Sequence, residues 1–145
     1  FRFVRMAPSN LGHAEEQCKG RWSKLLQHKL RQVFPNYTPL ENKKSDIISN
    51  FYTSYDYRED VYPSIIPNWD RSPRGGRRAV IYTDSTPALF EEHIKTALEI
   101  ISKKQDEHKI LFLRSWNEWA EGNYVEPDLK FGHGYLDALK ESIGV

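Results

Sequence analysis

Apolar residues return with two different periods along this chain, and the alternation between them outlines its elements. In residues 14–34, Ala14, Cys18, Trp22, Leu25, Leu26, Leu30, Val33 and Phe34 recur at steps of three and four, the stripe of a helix docked on something larger. Pro35 and Pro39 end it. The polar stretch 35–50, with those two prolines and Lys43-Lys44, reads as a connection and as the most natural boundary in the chain. A β-rich run follows at 61–69, confined to its ends or to an irregular path because Pro63 and Pro67 cannot donate ladder hydrogen bonds. After an arginine-rich turn at 71–78 comes a short strand at 79–83. Thr86 then caps a helix that opens on Pro87 and turns Phe90, Ile94, Ala97, Leu98 and Ile101 to one side. Residues 103–107 break the stripe, and the continuous apolar run 110–113 is expected to be a parallel strand covered on both faces. A final short helix should bury Tyr135, Leu136, Leu139 and Ile143.

Strand, helix, buried strand, long polar loop and helix is α/β wiring. A (β/α)8 barrel takes about 250 residues, so 145 residues can hold a small open sheet or the closing portion of a barrel. Composition is that of a globular protein, with no apolar stretch long enough for a membrane helix. One cysteine excludes an internal disulfide, and no paired Cys/His spacing suggests structural zinc. The net charge of +1 conceals an asymmetry: residues 1–34 carry seven Lys or Arg against Glu15 and Glu16, leaving 14 basic and 18 acidic residues in the remainder. Because the basic residues interleave with the helical stripe, they read as its solvated face rather than as a nucleic-acid surface. No signal peptide is visible, and the Asn36-Tyr37-Thr38 acceptor pattern is too short to stand alone.

The densest chemistry begins where the apolar run ends. Between Trp116 and Glu126 lie Asn117, Glu118, Trp119, Glu121, Asn123 and Tyr124. The C-terminal ends of parallel strands are where α/β active sites assemble. Indole rings stack on the apolar face of a sugar, Asn and Glu bond its hydroxyls, and glycosidic cleavage calls for two carboxyl groups. Glu118 and Glu121, three apart, face one cavity if the loop makes a helical turn. The plainer alternative is that Trp116 and Trp119 anchor the core and the glutamates belong to a solvated loop. A second constellation, Asn68-Trp69-Asp70-Arg71-Ser72-Pro73-Arg74, also follows a strand. Arg74 there either clamps an anion bidentately or closes the turn on Asp70. Gly132-His133-Gly134 opens the last helix, as ordinary turn chemistry does. The five histidines lack metal-ligand spacing, and no nucleotide-binding or serine-hydrolase motif occurs, so no metal and no cofactor are expected.

Three blocks, PSIIPNWDRSPR at 63–74, STPALFEEH at 85–93 and SWNEWAEGNYVEPDLKFGHGYL at 115–136, resemble the C-terminal part of the WbsX-like family. That family is labelled a glycosyltransferase of lipopolysaccharide and O-antigen biosynthesis, and its catalytic domain is similar to glycoside hydrolase family 99. The resemblance implies that residues 51–145 are the C-terminal part of a (β/α)8 barrel, preceded over 1–50 by a helical insertion or connecting segment. The partners it implies are a glycan and the barrel's remaining N-terminal strands, with neither nucleic acid nor a membrane span. It places the catalytic pair on Glu118, the base toward a sugar 2-hydroxyl, and Glu121, the acid and base. Trp69, Asp70, Arg74, Trp116, Asn117, Trp119, Tyr124 and Glu126 become the substrate contacts. The expected activity is cleavage or transfer of α-linked, mannose-type units of bacterial surface polysaccharide. A biosynthetic role would be cytoplasmic. A glycan-binding or scaffold module that keeps the aromatic cleft without turnover is the alternative. Arg71-Ser72 stands where the family has Asn-Thr, and Arg114 where it has Asn.

Overall fold

The computed structural model describes residues 5–6 and 39–144. The helix expected over 14–34 lies outside these residues, as does Cys18. In chain order come β1 (Arg5–Met6), β2 (Leu40–Lys43), α1 (Lys44–Ser49), a 3-10 turn at Ser54–Tyr57, β3 (Val61–Tyr62), β4 (Ser64–Ile65) and α2 (Ser72–Gly75). They are followed by β5 (Val80–Thr83), α3 (Pro87–Ser102), β6 (Phe112–Leu113), β7 (Asn117–Glu118), a 3-10 turn at Trp119–Glu121, β8 (Asn123–Tyr124) and α4 (Gly134–Ile143). This is a mixed α/β arrangement of small sheets, and the described residues form no closed barrel. No described helix is long and apolar enough to cross a membrane.

The 61–65 stretch is the axis of the parallel structure. Its first half pairs with β1 and its second half with β6, both parallel, and Pro63 separates the two. The carbonyls of Pro63 and Ile65 accept from Phe112 N at 3.0 Å and Arg114 N at 2.9 Å, so the proline takes part only as an acceptor. The second sheet pairs β2 parallel with β5, from Leu40↔Val80 to Lys43↔Thr83. Asp70 bridges Ile81 on the same strand, antiparallel.

Helix α3 starts as expected, with Thr86 Oγ1 accepting from Leu89 N at 3.2 Å and Pro87 in the first turn. Its stripe, Phe90, Ile94 and Ala97, meets Ile65, Val125, Tyr135 and Ala138 in the main core, with α4 packed across it. A Cβ at Gly134 would stand 2.8 Å from Pro87 Cγ, so α4 begins in direct contact with the start of α3. A second cluster joins Ile47, Phe51, Ile66, Trp69 and Tyr82.

Three expectations need correction. The polar segment 35–50 is not wholly a connection, because it contains β2 and α1. Its inward positions are polar, Asn42 at 5% exposure and Lys44 at 0%, so an apolar period could not reveal them. Lys44 Nζ donates to Ile66 O at 2.7 Å and lies 5.5 Å from the Tyr82 ring centre, and burial lowers its pKa to about 7. The run 110–113 forms a strand only at Phe112–Leu113. Ile110 is exposed, while Leu111 and Leu113 pack partly buried on the main core, so double-sided cover is not seen among the described residues. In α4 Tyr135 is buried and Leu136 and Leu139 pack partly buried on the main core beside Ala138, whereas Ile143, in the last turn before the left-handed Gly144, is 47% exposed.

Candidate active site

Two loops build the site. One leaves β4 and runs through Asn68 to α2; the other leaves β6 and folds back as the β7–β8 hairpin, whose strands are antiparallel. Within the hairpin the 3-10 turn ends on Gly122, at φ +52°, a left-handed conformation that favours glycine. The adjacent carbonyl of Glu121 accepts from Asp70 N at 2.9 Å. A Cβ at Gly122 would lie 2.8 Å from Asp70 Cβ and 3.0 Å from Asp70 N, so close approach of the loops also requires glycine there.

Asn123, 1% exposed, ties the same loops by its side chain. Its Oδ1 accepts from Ser115 Oγ at 2.6 Å, and its Nδ2 donates to Asn68 O at 2.6 Å. Asn68 Oδ1 in turn accepts from Tyr124 N at 3.0 Å. A buried amide needs its hydrogen-bonding capacity met, and here meeting it fixes one loop on the other.

This stitching brings the two sequence constellations together. Arg74 places Nη2 at 3.3 Å from Glu118 Oε1 and Nη1 at 3.4 Å from Glu121 Oε1, and Arg71 Nε lies 3.5 Å from the same Glu121 oxygen. The two carboxylates thus reach one guanidinium, Glu121 largely covered at 13% side-chain exposure and Glu118 more open at 39%. Arg74 does not close its turn on Asp70. Asp70 Oδ1 instead accepts from Ser72 N at 2.8 Å, which leaves the arginine for the glutamates.

The aromatic residues divide. Trp69 is a core residue, 8% exposed, tilted against Tyr82 with the Arg114 guanidinium 5.0 Å above its ring. Trp116 and Trp119 are 52% and 47% exposed, so they do not anchor the core. Trp119 stacks on Tyr124 with ring centres 3.7 Å apart and planes 13° from parallel, and its indole N–H donates to Glu126 Oε2 at 2.7 Å. Tyr124 OH donates to Asp128 Oδ2 at 3.1 Å; burial, then the Asp128 charge, raises the phenol pKa and keeps it protonated. Asn117 lies exposed on β7 opposite Tyr124.

Four residues that shape the site, Asn68, Ser115, Gly122 and Asn123, were not expected as contacts. Asn123 sits inside the densest polar run, and glycine directly after Glu121 was the available sign of a tight turn. Among the described residues no group of three or more His, Cys, Asp or Glu side chains is arranged to hold a metal ion.

Comparison with known proteins bears on the same segments. The family described as Glycosyltransferase WbsX matches over residues 4–139. The protein WxcX, itself uncharacterized, is 32% identical over 84 residues in each of two strains of Xanthomonas campestris pv. campestris, a stretch covering 57% of this chain. That stretch spans only about 12% of either WxcX protein. No solved structure matches. Since the family match runs through both loops of the site and nearly the whole sequence, the chain belongs to the WbsX glycosyltransferase family.

Proposed function

We propose that this chain forms part of a carbohydrate-active enzyme that cleaves or transfers α-linked, mannose-type units of a bacterial surface polysaccharide, with Glu118 and Glu121 as the reacting carboxyl groups. The observation that carries the reading is the convergence of both glutamates on Arg74, beside two exposed tryptophans, at the end of a parallel strand. Membership of a glycosyltransferase family supports the substrate class. The resemblance to glycoside hydrolase family 99 supplies the roles. Glu118 takes the proton of the sugar 2-hydroxyl as that oxygen attacks the anomeric carbon. Glu121 gives its proton to the departing glycosidic oxygen as the anomeric bond breaks. The strained anhydro-sugar is then opened by water or an acceptor hydroxyl, deprotonated by Glu121, while Glu118 returns the first proton, so configuration is retained overall. We also read the parallel pairing of the 61–65 stretch with β1 and with β6 as part of a (β/α)8 barrel; the shared strand direction supports it.

One observation favours a glycan-binding module without turnover: Arg74 engages one oxygen of each of the two carboxylates, in competition with a substrate. Activity separates the readings. In the full-length protein, Glu118→Gln and Glu121→Gln should each lower release or transfer of α-mannosyl units by about 10²- to 10⁴-fold. At the more open Glu118 this change should alter stability by less than about 0.5 kcal/mol, and for the largely covered Glu121 a melt on the same preparation separates lost chemistry from lost folding. Full activity in both variants would refute the assignment, and binding without turnover by the unmutated protein would establish the module.

A further inference from the structure

Beside the glutamates, Trp119, Tyr124, Pro127, Asp128, Leu129 and Lys130 line an open cleft of about 600 Å³. Its walls are held in place from behind. Asp128 Oδ1 accepts from Lys130 N at 2.8 Å and Phe131 N at 2.6 Å, and Oδ2 takes the Tyr124 hydroxyl. Paired backbone bonds between Asp128 and Gly132, at 3.1 and 2.9 Å, close the loop below them. The Trp119 indole is fixed in orientation by Glu126 at its nitrogen and by Tyr124 on one face, yet the residue is still 47% exposed. An aromatic ring so held, with its N–H already engaged, offers an incoming group an apolar plane. Lys130, 4.7 Å from the Phe131 ring, adds a cation at the rim.

We propose that this cleft is a subsite for one pyranose ring, stacked by its apolar C–H face on Trp119, next to the sugar handled by Glu118 and Glu121. The inference rests on the proposed function in taking a glycan as the ligand. It adds the location and capacity of a neighbouring position. Continuity supports that occupant: Trp119 lies between the two glutamates on a single turn, so a chain engaging the carboxylates passes the indole. Capacity follows from the stack, because Tyr124 covers one face of the indole while Trp119, 47% exposed, keeps surface open to a ligand.

The test uses the full-length protein carrying Glu118→Gln and Glu121→Gln, which prevents turnover, titrated calorimetrically with methyl α-mannoside and α-linked mannobiose, mannotriose and mannotetraose. Affinity should jump at one step of this series. Adding Trp119→Ala should remove that jump, a loss of about tenfold or more as expected for truncating an aromatic anchor, while the shorter ligands keep their affinity. Trp119→Phe should restore most of it. An equal loss at every length, or no loss, overturns the subsite while leaving the glycan reading intact. If the protein with Trp119 intact binds none of the four sugars, the mannose-type reading fails, and the subsite argued as its neighbour falls with it.

Discussion

Two polar clusters in this chain are built in opposite ways. Around Lys44 and His93, both 0% exposed, charge and dipoles are sealed among rings. His93 meets Phe51 edge-on at 4.6 Å and stacks on Tyr52 at 5.2 Å, and the Tyr52 hydroxyl donates to Ser64 O at 2.9 Å. Burial, then the Lys44 charge, holds the imidazole pKa well below its usual value. Around Glu118 and Glu121 the charges are more numerous and more open, and they are joined by contacts of 3.3 to 3.5 Å to two half-exposed arginines. The buried cluster is committed to the fold, since a desolvated group left without its partner is costly. The open one holds its charges loosely, because exposed pairs contribute little and are easily exchanged for a ligand.

The largest expected effect that would break this contrast concerns Lys44. Its folded pKa, about 7, lies below the unfolded 10.5, so between those values the unfolded chain binds a proton that the native state does not. Stability should therefore rise with pH across that window, approaching about 1.4 kcal/mol per unit at 25 °C. The depressed His93 acts in the same direction at lower pH, with stability falling as pH drops below 6.5, where the unfolded imidazole becomes charged. Denaturant melts from pH 7 to 10 on the parent and on Lys44→Met should show the parent's advantage shrinking steadily toward pH 7. Parallel curves would place the lysine in water.

A smaller effect sharpens the boundary between the clusters. Gly122→Ala combines a positive φ with a Cβ 2.8 Å from Asp70 Cβ, and should cost more than about 1 kcal/mol. By parting the loops it should also reduce activity, as read from melting and from turnover on the same preparation. An unaffected variant would show that the loops do not need this contact. The smallest effect is on the open side: Arg74→Ala should change stability by less than about 1 kcal/mol despite removing contacts to both glutamates. A thermal melt displaced by much more would mean that the site carries the fold as the Lys44 cluster does.

What was legible in the sequence depended on whether local chemistry and burial agree. Helix α3 was readable because Thr86, Pro87 and the Phe90–Ala97 stripe state the same element in capping, backbone and packing. That both loops follow strands was legible; their contact, Asp70 N on Glu121 O, depends on a backbone path that residue types do not state. Strand β2 and helix α1 were hidden because Asn42 and Lys44, polar by type, point inward; only their partners across the fold explain that placement. Asn123 was hidden likewise, since its value lies in Ser115 and Asn68, the latter 55 residues away. Trp69 and Trp119 show the limit for aromatics, as residue type alone does not distinguish a ring under Arg114 from one facing solvent.

The Asn123 bridge has a consequence for how the site responds to its medium. The links that hold one loop on the other, Asn123 to Asn68, Tyr124 to Asn68 and Asp70 to Glu121, are between uncharged groups. Those between Arg71, Arg74 and the glutamates are ionic and face solvent. Dissolved ions screen the second kind and leave the first almost untouched, with a Debye length of about 8 Å at physiological ionic strength. Rising salt therefore loosens the hold of the arginines on the carboxylates without moving the scaffold beneath them, so the site's charge and its shape are set by different groups.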